Sequence, residues 1–289
     1  MKSQFDQDLL SSFYLWFENR LLASKAEAYS IDMDNAFQYI DFADIPSSHV
    51  GYQGKFRQLV PDHNVTQANS GFFQDGGFVT GNYDENGGVY TDYNNGRLIF
   101  PSASGTSLTL TANSTVKEVN TYIANDSDLQ MILQSDFKDG SSPYQYQQTT
   151  ELDEEIYFLP ACFMSIASSD NDEFAFGGEE NTQSRVRVML LSFDNYILDS
   201  VLSLFRDTVR EDITHISYGD FPYGFSFSIK DFPYDYSVLI DAQSDPTTSH
   251  IQNVTVSKVV SEQLREKLNK NISISFMDFD LSTYRFPRL

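Results

Sequence analysis

The residues that most often carry metal or nucleophilic chemistry are few and far apart in this sequence. Histidine occurs four times, and the single cysteine, Cys162, lies in an apolar run. A zinc site needs several His, Cys or carboxylate ligands at short spacings, and no histidine has such a spacing to another histidine or to the cysteine. A lone cysteine forms no intramolecular disulfide, and a buried structural thiol is its usual role. The sequence therefore predicts neither a metal site nor a cofactor. The four histidines are His49, His63, His215 and His250.

Carboxylates are the most abundant ionisable groups, and several of them concentrate in residues 168–182. The chain has 41 acidic residues against 19 Lys and Arg, which gives a net charge of -22. Asp170 and Asp172 match the first and third positions of an EF-hand calcium loop, but Ala175 replaces its glycine and Asn181 its final glutamate. We therefore interpret the segment as an acidic surface loop that binds no metal. Its acidic members are Asp170, Asp172, Glu173, Glu179 and Glu180.

Searches for other catalytic motifs give no support for an enzyme. No glycine-rich phosphate-binding motif opens a helix after a strand, and no Gly-x-Ser-x-Gly elbow occurs. Paired carboxylates are expected by chance in so acidic a chain, so we assign no glycosidase-type dyad. The sequence therefore predicts no catalytic residue.

Charge and hydropathy limit the binding partners and the cellular location that we expect for the chain. Neutralising phosphates needs clustered Lys and Arg, so a net charge of -22 disfavours binding to a nucleic-acid backbone or to an anionic membrane. The apolar positions of the N-terminal segment are interrupted by Gln, Asp and Glu, which is typical of neither a signal peptide nor a membrane span. We expect synthesis in the cytoplasm and no membrane partner.

Residues 3–23 carry the strongest helical periodicity. Apolar residues recur every fourth position from Phe5 to Leu21, which predicts an amphipathic helix that Ser3 and Asp6 would cap. Together with the polar stretch up to residue 48, the helix forms the first predicted domain, residues 1–48. Its stripe packs either on the core of the same chain or on a neighbouring subunit. The candidate interface residues in the stripe are Phe5, Leu9, Phe13, Trp16 and Phe17.

Residues 49–150 predict an antiparallel β domain. Short runs rich in β-branched and aromatic residues alternate with clusters of Gly, Asn, Asp and Ser, which is typical of a sandwich or a barrel-like sheet. Asn95 and Gly96 separate two such runs, and both residue types tolerate positive φ, so they predict a two-residue hairpin turn. We include both among the candidate interface residues.

Residues 151–289 predict a mixed sheet with one or two helices. Val186, Val188 and Leu190 alternate along one strand, and Asp194 or Asn195 would cap a helix that runs to about Arg210. Residues 236–242 predict a strand, and residues 271–286 a final strand with a bulge between Phe276 and Phe279. The fold class is therefore α+β.

Four segments of the chain resemble a set of virion proteins from tailed phages with contractile tails, many of them phages of aquatic bacteria. The segments contain strand, helix and turn signatures rather than catalytic motifs. They extend over nearly the whole sequence, which indicates full-length kinship rather than a shared module. They are residues 5–22, 91–100, 116–122 and 278–287.

The resemblance implies a structural subunit of the neck or upper tail, of the head–tail connector, neck or tail-terminator type. Such subunits usually form hexameric or dodecameric rings. The implied partners are further copies of the chain, other neck and tail proteins, and genomic DNA that passes without sequence-specific binding. The implied location is the virion, after assembly in the host cytoplasm. The acidic segment that begins near Asp170 would then face a channel, where like charge repels DNA during ejection.

Two other functions remain open at the level of the sequence. A baseplate, fibre or glycan-binding β module would contact its ligand through exposed aromatic residues such as Tyr83, Tyr90 and Tyr93. A carboxylate-based hydrolase is the third and weakest reading, because it would need a pair of acidic residues that no motif identifies.

Overall fold

The computed structural model shows a mixed α+β chain with an N-terminal helix and two curled sheets, which confirms the predicted fold class. The described residues are 5–23, 26–41, 45, 47–54, 58–62, 71–80, 90–101, 104–124, 130, 132, 135–139, 156–174, 178–217, 219–222, 234–243, 247–259 and 272–286. In these ranges the helices are α1 (Phe5–Leu22), α2 (Asn195–Arg206) and α3 (Tyr236–Asp241).

The first sheet contains the first seven strands in the order β4-β3-β7-β1-β2-β6-β5. All of its described pairings are antiparallel. The long strand β1 lies within residues 1–48, in the polar stretch that the sequence predicted as an extended arm after the first helix, and it pairs with β2 on one side and β7 on the other. The strands are β1 (Tyr29–Ile40), β2 (His49–Gln53), β3 (Gly71–Gln74), β4 (Gly77–Thr80), β5 (Tyr90–Asp92), β6 (Arg97–Pro101) and β7 (Leu110–Lys117).

The second sheet has the order β13-β14-β15-β12-β11-β8. Its pairings are antiparallel except that between β8 and β11, and a separate parallel pair joins β9 to β10. Two residues separate β7 from β8, so the chain passes directly from one sheet to the other. The strands are β8 (Asn120–Ile123), β9 (Asp136–Asp139), β10 (Ile156–Leu159), β11 (Ala161–Glu173), β12 (Glu180–Ser192), β13 (Asp212–Thr214), β14 (Thr248–Lys258) and β15 (Ser273–Arg285).

Helix α1 lies inside the molecule rather than on its surface. Every residue from Ser12 to Glu18 is buried, so burial extends around the whole circumference of the helix. A helix that packs on one side only would bury a single stripe. The structure confirms the helix that the periodicity predicts. The helix packs on its own chain, where its neighbours include β8, β11, β13 and α3.

Aromatic rings join α1 to the second sheet and to α2. The ring of Phe17 stacks on that of Phe205 with centroids 3.8 Å apart, and the ring of Phe13 meets Phe279 edge-on at 5.0 Å. Trp16 contacts both Phe205 and Phe279 at about 6 Å. Because aromatic side chains bury large apolar areas, this cluster makes α1 the centre of the main core.

The hairpin predicted at Asn95-Gly96 is present, but its turn is longer than expected. Strands β5 and β6 pair with Asp92 opposite Arg97, so four residues form the connection. Gly96 has a positive φ of 62°, whereas Asn95 does not. A two-residue turn of the predicted type needs positive φ at both positions, and the prediction of that turn is therefore wrong.

The last strand has no bulge between Phe276 and Phe279. The register of β15 against β12 is continuous, and the irregularity lies in β14, between Ile251 and Asn253. Ile274 and Phe276 face a second apolar cluster, while Met277 and Phe279 face the main core. The sheet buries both faces at this point, so alternation continues without the extra residue that a one-faced strand would need.

Two further expectations in the C-terminal part have different outcomes. Asp194 caps α2 as predicted, but the helix ends at Arg206. The predicted strand at 236–242 is the short helix α3, because the side chain of Asp235 accepts hydrogen bonds from the amides of Ser237 and Val238. An N-cap of this kind outweighs the strand-like composition that follows it. The sequence also predicts a strand at 223–229 and a short helix at 263–269, and both segments lie outside the described residues.

Candidate functional site

A buried polar cluster joins α1 to both sheets. The carboxylate of Glu18 pairs with the amine of Lys117 at the end of β7, and both side chains are 1% exposed. Glu18 Oε1 also accepts hydrogen bonds from Tyr14 Oη at 3.2 Å and from Thr121 Oγ1 at 2.9 Å, and Oε2 accepts one from Tyr234 Oη at 2.8 Å. Burying a charge is costly unless it is paired and hydrogen-bonded, and here the carboxylate has a partner on every side.

Gln58 completes the buried polar cluster, which we define as Tyr14, Glu18, Gln58, Lys117, Thr121 and Tyr234. Its side-chain oxygen Oε1 accepts a hydrogen bond from the Thr121 amide at 2.9 Å, and its Nε2 donates to the Thr121 carbonyl at 2.9 Å. Lys117 Nζ lies 3.4 Å from the same oxygen. The cluster is a closed network that fixes α1 against the junction of β7 and β8.

Burial changes the proton affinity of two members of this cluster. Desolvation lowers the pKa of Lys117, and the nearby carboxylate of Glu18 opposes that change. Desolvation also raises the pKa of Tyr14, and Glu18 raises it further. Near neutral pH the tyrosine therefore remains a neutral hydrogen-bond donor.

The candidate interface residues of α1 lie within the chain's own core. Leu9, Phe13 and Phe17 are completely buried, and Trp16 is 5% exposed. Phe5 is half-buried: its ring stacks on His215, and the guanidinium of Arg285 lies 4.1 Å from its centroid. The structure thus resolves the two alternatives for the stripe in favour of the core of the same chain.

The turn at Asn95 and Gly96 is held against strand β2. Gln53 Nε2 donates to the carbonyl of Asn95 at 2.8 Å and to that of Gly96 at 3.1 Å. Asp92 accepts hydrogen bonds from Asn95 and forms a largely buried ion pair with Arg97. Gly96 is buried and Asn95 half-buried, so the turn packs on its own sheet.

The five acidic residues predicted in a loop lie instead on or next to two paired strands. Strand β11 ends at Glu173 and β12 begins at Glu180, and their register sets Asp172 opposite Asn181 and Glu173 opposite Glu180. We call this end of β11 and β12 the acidic hairpin. The loop prediction fails because Asp and Asn are poor strand formers locally, whereas the β12–β15 pairing continues to Arg285 and extends the sheet. Asp170, Asp172 and Glu173 are exposed, and Glu179 and Glu180 are half-buried.

Exposed aromatic rings lie at the tip of the acidic hairpin. Phe174 follows β11 and is 58% exposed, and its ring lies 4.7 Å from that of Tyr284, which is 43% exposed. Phe286 follows the end of β15 and is 68% exposed. We call the rings of Phe174, Tyr284 and Phe286 the aromatic tip. Large exposed rings beside carboxylates are unusual for surface that remains in water, and aromatic residues are enriched in protein interfaces.

A polar groove of about 520 Å³ lies on the sheet beside the hairpin. A cross-strand ion pair lines it, in which Arg185 Nε donates to Asp280 at 2.7 Å. Further along the same two strands, Arg187 forms two hydrogen bonds with Asp278 at 2.7 and 3.0 Å. The hydrogen bond to Asp280 raises the pKa of Arg185. The other lining residues are amides, hydroxyls, one carboxylate, Tyr284 and a single leucine, a mainly polar set that suits polar recognition: Ser168, Asp170, Asn181, Gln183, Ser184, Gln252, Asn253, Leu281, Ser282 and Tyr284.

His215 and Ser249 form a hydrogen-bonded pair that the sequence did not reveal. His215 Nε2 lies 2.7 Å from Ser249 Oγ, and Ser249 is in turn 2.5 Å from Thr283 Oγ1. Burial, together with the charge of Arg285, lowers the pKa of His215 to about 4. A serine and a base are two parts of a hydrolase site, but Ser249 is completely buried, so a substrate has no access to its hydroxyl.

The remaining residues that could take part in catalysis or binding are in structural positions. Cys162 is completely buried, and desolvation raises the pKa of its thiol. Within the described ranges, no three His, Cys, Asp or Glu residues are arranged to hold a metal ion. Tyr93 is 1% exposed and so has no surface for a glycan, whereas the side chains of Tyr83 and Tyr90 lie outside the described residues.

No protein-family model matches the chain, and no curated protein matches it. Among the residues that the structure describes, no helix is long and apolar enough to cross a membrane.

Sequence reasoning missed the buried polar cluster. Glu18 stands between Phe17 and the Leu21-Leu22 pair, so a charged residue inside an apolar helix was the available signal. Its partner Lys117 is 99 residues away. Nothing in the local pattern around Lys117 connects it with α1, because their proximity comes from the packing of α1 on the junction of the two sheets.

Proposed function

We propose that this protein is a structural subunit of a tailed-phage virion, of the neck, head–tail connector or tail-terminator type, and that it assembles as a ring around the path of the DNA. The proposal rests on the chain-long resemblance together with one observation of structure. That observation is the acidic hairpin, which presents exposed aromatic rings at the end of two long paired strands.

The length of the acidic hairpin supports a role in contacts between subunits. Strands β11 and β12 each have 13 residues, and the last seven residues of β11 are all exposed. At about 3.3 Å per residue, this exposed part of the strand is roughly 20 Å long. Paired strands are stiff enough to hold a contact surface at that distance, and the rings of Phe174 and Tyr284 supply the apolar area that an interface needs.

The charge of the chain suits a wall along which DNA moves. A protein that binds DNA strongly releases counterions from phosphates by means of clustered Lys and Arg. A subunit with net charge -22 provides the opposite field, and repetition around a ring multiplies it. DNA then passes without being retained, and the expected partners are copies of the chain and other neck or tail proteins.

The test is the location of the chain in purified phage particles. Antibody or gold labelling should mark the junction of head and tail, and mass spectrometry of the particles should detect the chain in a constant ratio to the tail proteins. Particles that contain the other structural proteins but lack this chain would overturn the proposal.

A glycan-binding module is the second candidate, and the polar groove favours it. Amides such as Asn181 and Asn253 beside the exposed ring of Tyr284 are groups that hydrogen-bond and stack on sugars. Binding on a glycan array that Tyr284→Ala abolishes and Tyr196→Ala preserves would favour this candidate, since Tyr196 is 80% exposed and does not line the groove.

A further inference from the structure

Strand β11 has a partner along the whole of one side but only along the beginning of the other. Strand β12 accompanies it from end to end, whereas β8 pairs only with residues 161–164. The last hydrogen bond on the β8 side is the one from the amide of Ala124 to the carbonyl of Met164 at 2.8 Å, and no strand of the described residues continues that side. Residues 167–173 are all exposed. We call this stretch of β11 the open edge.

The backbone hydrogen bonds show which groups of the open edge face outward. The amide of Phe174 donates to the carbonyl of Glu179 at 3.1 Å, so it points to the β12 side. Backbone groups alternate in direction along a strand of an antiparallel pair, so those of Ser169 and Asn171 point away from β12. The amide of Asn171 fits this direction, because it donates to Oδ1 of its neighbour Asp170 at 3.0 Å. The open edge therefore offers backbone donors and acceptors to an incoming strand.

The open edge is long, and it lacks most of the features that keep edge strands from pairing. Such features are proline, lysine, short length and bulges. The sequence of β11 contains neither proline nor lysine, and its register irregularity lies at the start of the edge, between Ile166 and Ser168. At about 3.3 Å per residue, the edge is roughly 20 Å long. An ordinary strand of about five or six residues fits along it.

Charge decides which kind of strand fits the open edge. Asp170, Asp172 and Glu173 are exposed along it. Paired strands bring side chains on the same face within about 5 Å, where like charges repel and opposite charges attract. Two copies of the open edge would set these carboxylates against one another, and each copy also has a net charge of -22. An extended segment rich in Lys and Arg brings opposite charge to the same positions.

We propose that the open edge of β11 binds an extended, basic segment of another protein, which adds to the second sheet as a further strand. The backbone of that segment pairs with Ser169, Asn171 and Glu173, and its Lys or Arg side chains lie beside Asp170 and Asp172. The backbone bonds supply affinity, and the carboxylates select against a second copy of the chain. The inference holds whether or not the chain forms rings, because the partner is a different protein.

Titration of a fluorescent peptide with the purified full chain, followed by anisotropy, tests the inference. The probe is Lys-Val-Lys-Thr-Lys-Val-Lys, and we expect saturable binding of one peptide per chain. The same peptide with a methyl group on every backbone nitrogen keeps the charge but has no backbone donor, so it should bind about tenfold more weakly or worse. A peptide with Glu in place of Lys should not bind. Failure of the first peptide to bind, or equal binding of the methylated one, would overturn the inference.

Hydrogen exchange measured by mass spectrometry locates the contact in the wild-type chain. Addition of the basic peptide should slow exchange of the amides in residues 167–173, because they become hydrogen-bonded or covered. Protection confined to other parts of the chain would overturn the inference. Protection of the open edge that appears without peptide, on raising the protein concentration alone, would show that a second copy occupies it and would overturn the choice of partner. This measurement needs no variant, so it decides even where a variant fails to fold.

One pair of variants tests the backbone of the open edge. Ser169→Pro removes an amide that points away from β12, so it should leave the β11–β12 pairing intact and weaken peptide binding about tenfold. Ser169→Ala is the matched control, since it loses the same hydroxyl contact with Ser184 but keeps the amide. It should bind the peptide within about twofold of wild type. Equal binding by the two variants would contradict pairing through the backbone.

A second pair tests the charges at constant net charge. Asp170→Asn combined with Asp172→Asn should weaken peptide binding about tenfold at low salt. Asp199→Asn combined with Asp207→Asn also removes two exposed carboxylates, at positions on and next to α2, and should leave binding within about twofold of wild type. Equal losses in the two double variants would show that the peptide responds to overall charge, and they would overturn the inference.

Discussion

At the scale of single residues, several ionisable side chains of this protein lie in its interior. Burial shifts the pKa values of Tyr14, Lys117 and His215, and each of these side chains forms a hydrogen bond or ion pair with another buried group of the chain. Glu18 illustrates this, because it accepts from two tyrosines, a threonine and a lysine at once. Such residues hold elements in register, and removing one of them leaves the others without a partner in a medium where that is costly.

Lys117→Met should destabilise the protein by about 3–5 kcal/mol, since it leaves the carboxylate of Glu18 buried without its counter-ion. Chemical denaturation monitored by circular dichroism measures the change in the free energy of unfolding. Replacing both members, by Glu18→Gln with Lys117→Met, should recover much of the loss, because no buried charge remains. Arg185→Ala, which breaks an ion pair at the surface, serves as a control and should have a much smaller effect. Equal effects of the two single variants would contradict this account of the cluster.

His215 should make stability depend on pH below neutrality. Its pKa falls from 6.5 to about 4 on folding, so the folded chain binds fewer protons at this site than the unfolded chain. The contribution is complete above about pH 6.5 and is lost as the pH falls through about 4. It amounts to roughly 3 kcal/mol at neutral pH. The groups around the ring are Phe5, Ser249 and the charge of Arg285.

Thermal unfolding of wild type and His215→Gln at a series of pH values measures that contribution. The carboxylates are common to both proteins, so the difference between their melting temperatures isolates the histidine. The wild type should lose stability relative to the variant as the pH is lowered from 7 to 4. A difference that stays constant over this range would show that burial of the neutral ring contributes nothing to folding.

At the scale of elements, α1 determines how the rest of the chain is arranged. It is buried on all sides, and its aromatic side chains contact α2 through Phe205 and the second sheet through Phe279. Its polar residue Glu18, which accepts a hydrogen bond from Tyr14 of the same helix, pairs with Lys117, the last residue of the first sheet's β7. A single helix therefore supplies both the apolar centre and the polar connection between the sheets.

Phe17→Ala should lower the free energy of unfolding by about 3–5 kcal/mol, because it removes a completely buried ring and leaves a cavity beside Phe205. Tyr196→Ala on α2 is the matched control, since it truncates an aromatic residue that is 80% exposed. Urea titration followed by tryptophan fluorescence suits the measurement because Trp16 lies in the same cluster. A midpoint equal to that of the control would contradict the central position of α1.

Sequence patterns predicted the elements that depend on local signals. The period of α1, the Asp194 cap of α2 and the alternation of Val186 and Val188 all follow from neighbouring residues. Predictions failed where distant pairing overrides local preference. β12 and β15 extend the acidic hairpin into a segment whose Asp and Asn content indicates a loop, and burial on both faces of β15 removes the need for a bulge at Phe276.

The candidate site was predictable only in part, for the same reason. The sequence located the acidic residues around Asp170, because composition alone reveals them. It did not reveal the groove or the aromatic tip, since Phe174 and Tyr284 are 110 positions apart and meet through the pairing of three strands. The Glu18–Lys117 pair was hidden in the same way, by a contact between the N-terminal helix and the junction of the sheets.

At the scale of the whole molecule, the acidic charge and the aromatic tip support our proposal that the chain functions through contacts with other proteins. Helix α1 is committed to the core, so a ring would have to be built from the sheets and their hairpins. The aromatic tip is the surface best suited to that contact, because its rings remain exposed in the single chain. Salt should promote the contact, since screening weakens repulsion between subunits that each carry a net charge of -22.

The most direct test of this account is the assembly state of the purified full chain, measured by light scattering and by electron-microscopic class averages at moderate salt. The account predicts closed rings with rotational symmetry, and Phe174→Ala combined with Tyr284→Ala should reduce them to smaller species while Tyr196→Ala leaves them intact. A chain that remains monomeric at every concentration and salt tested, with its fold intact by circular dichroism, would contradict the central claim.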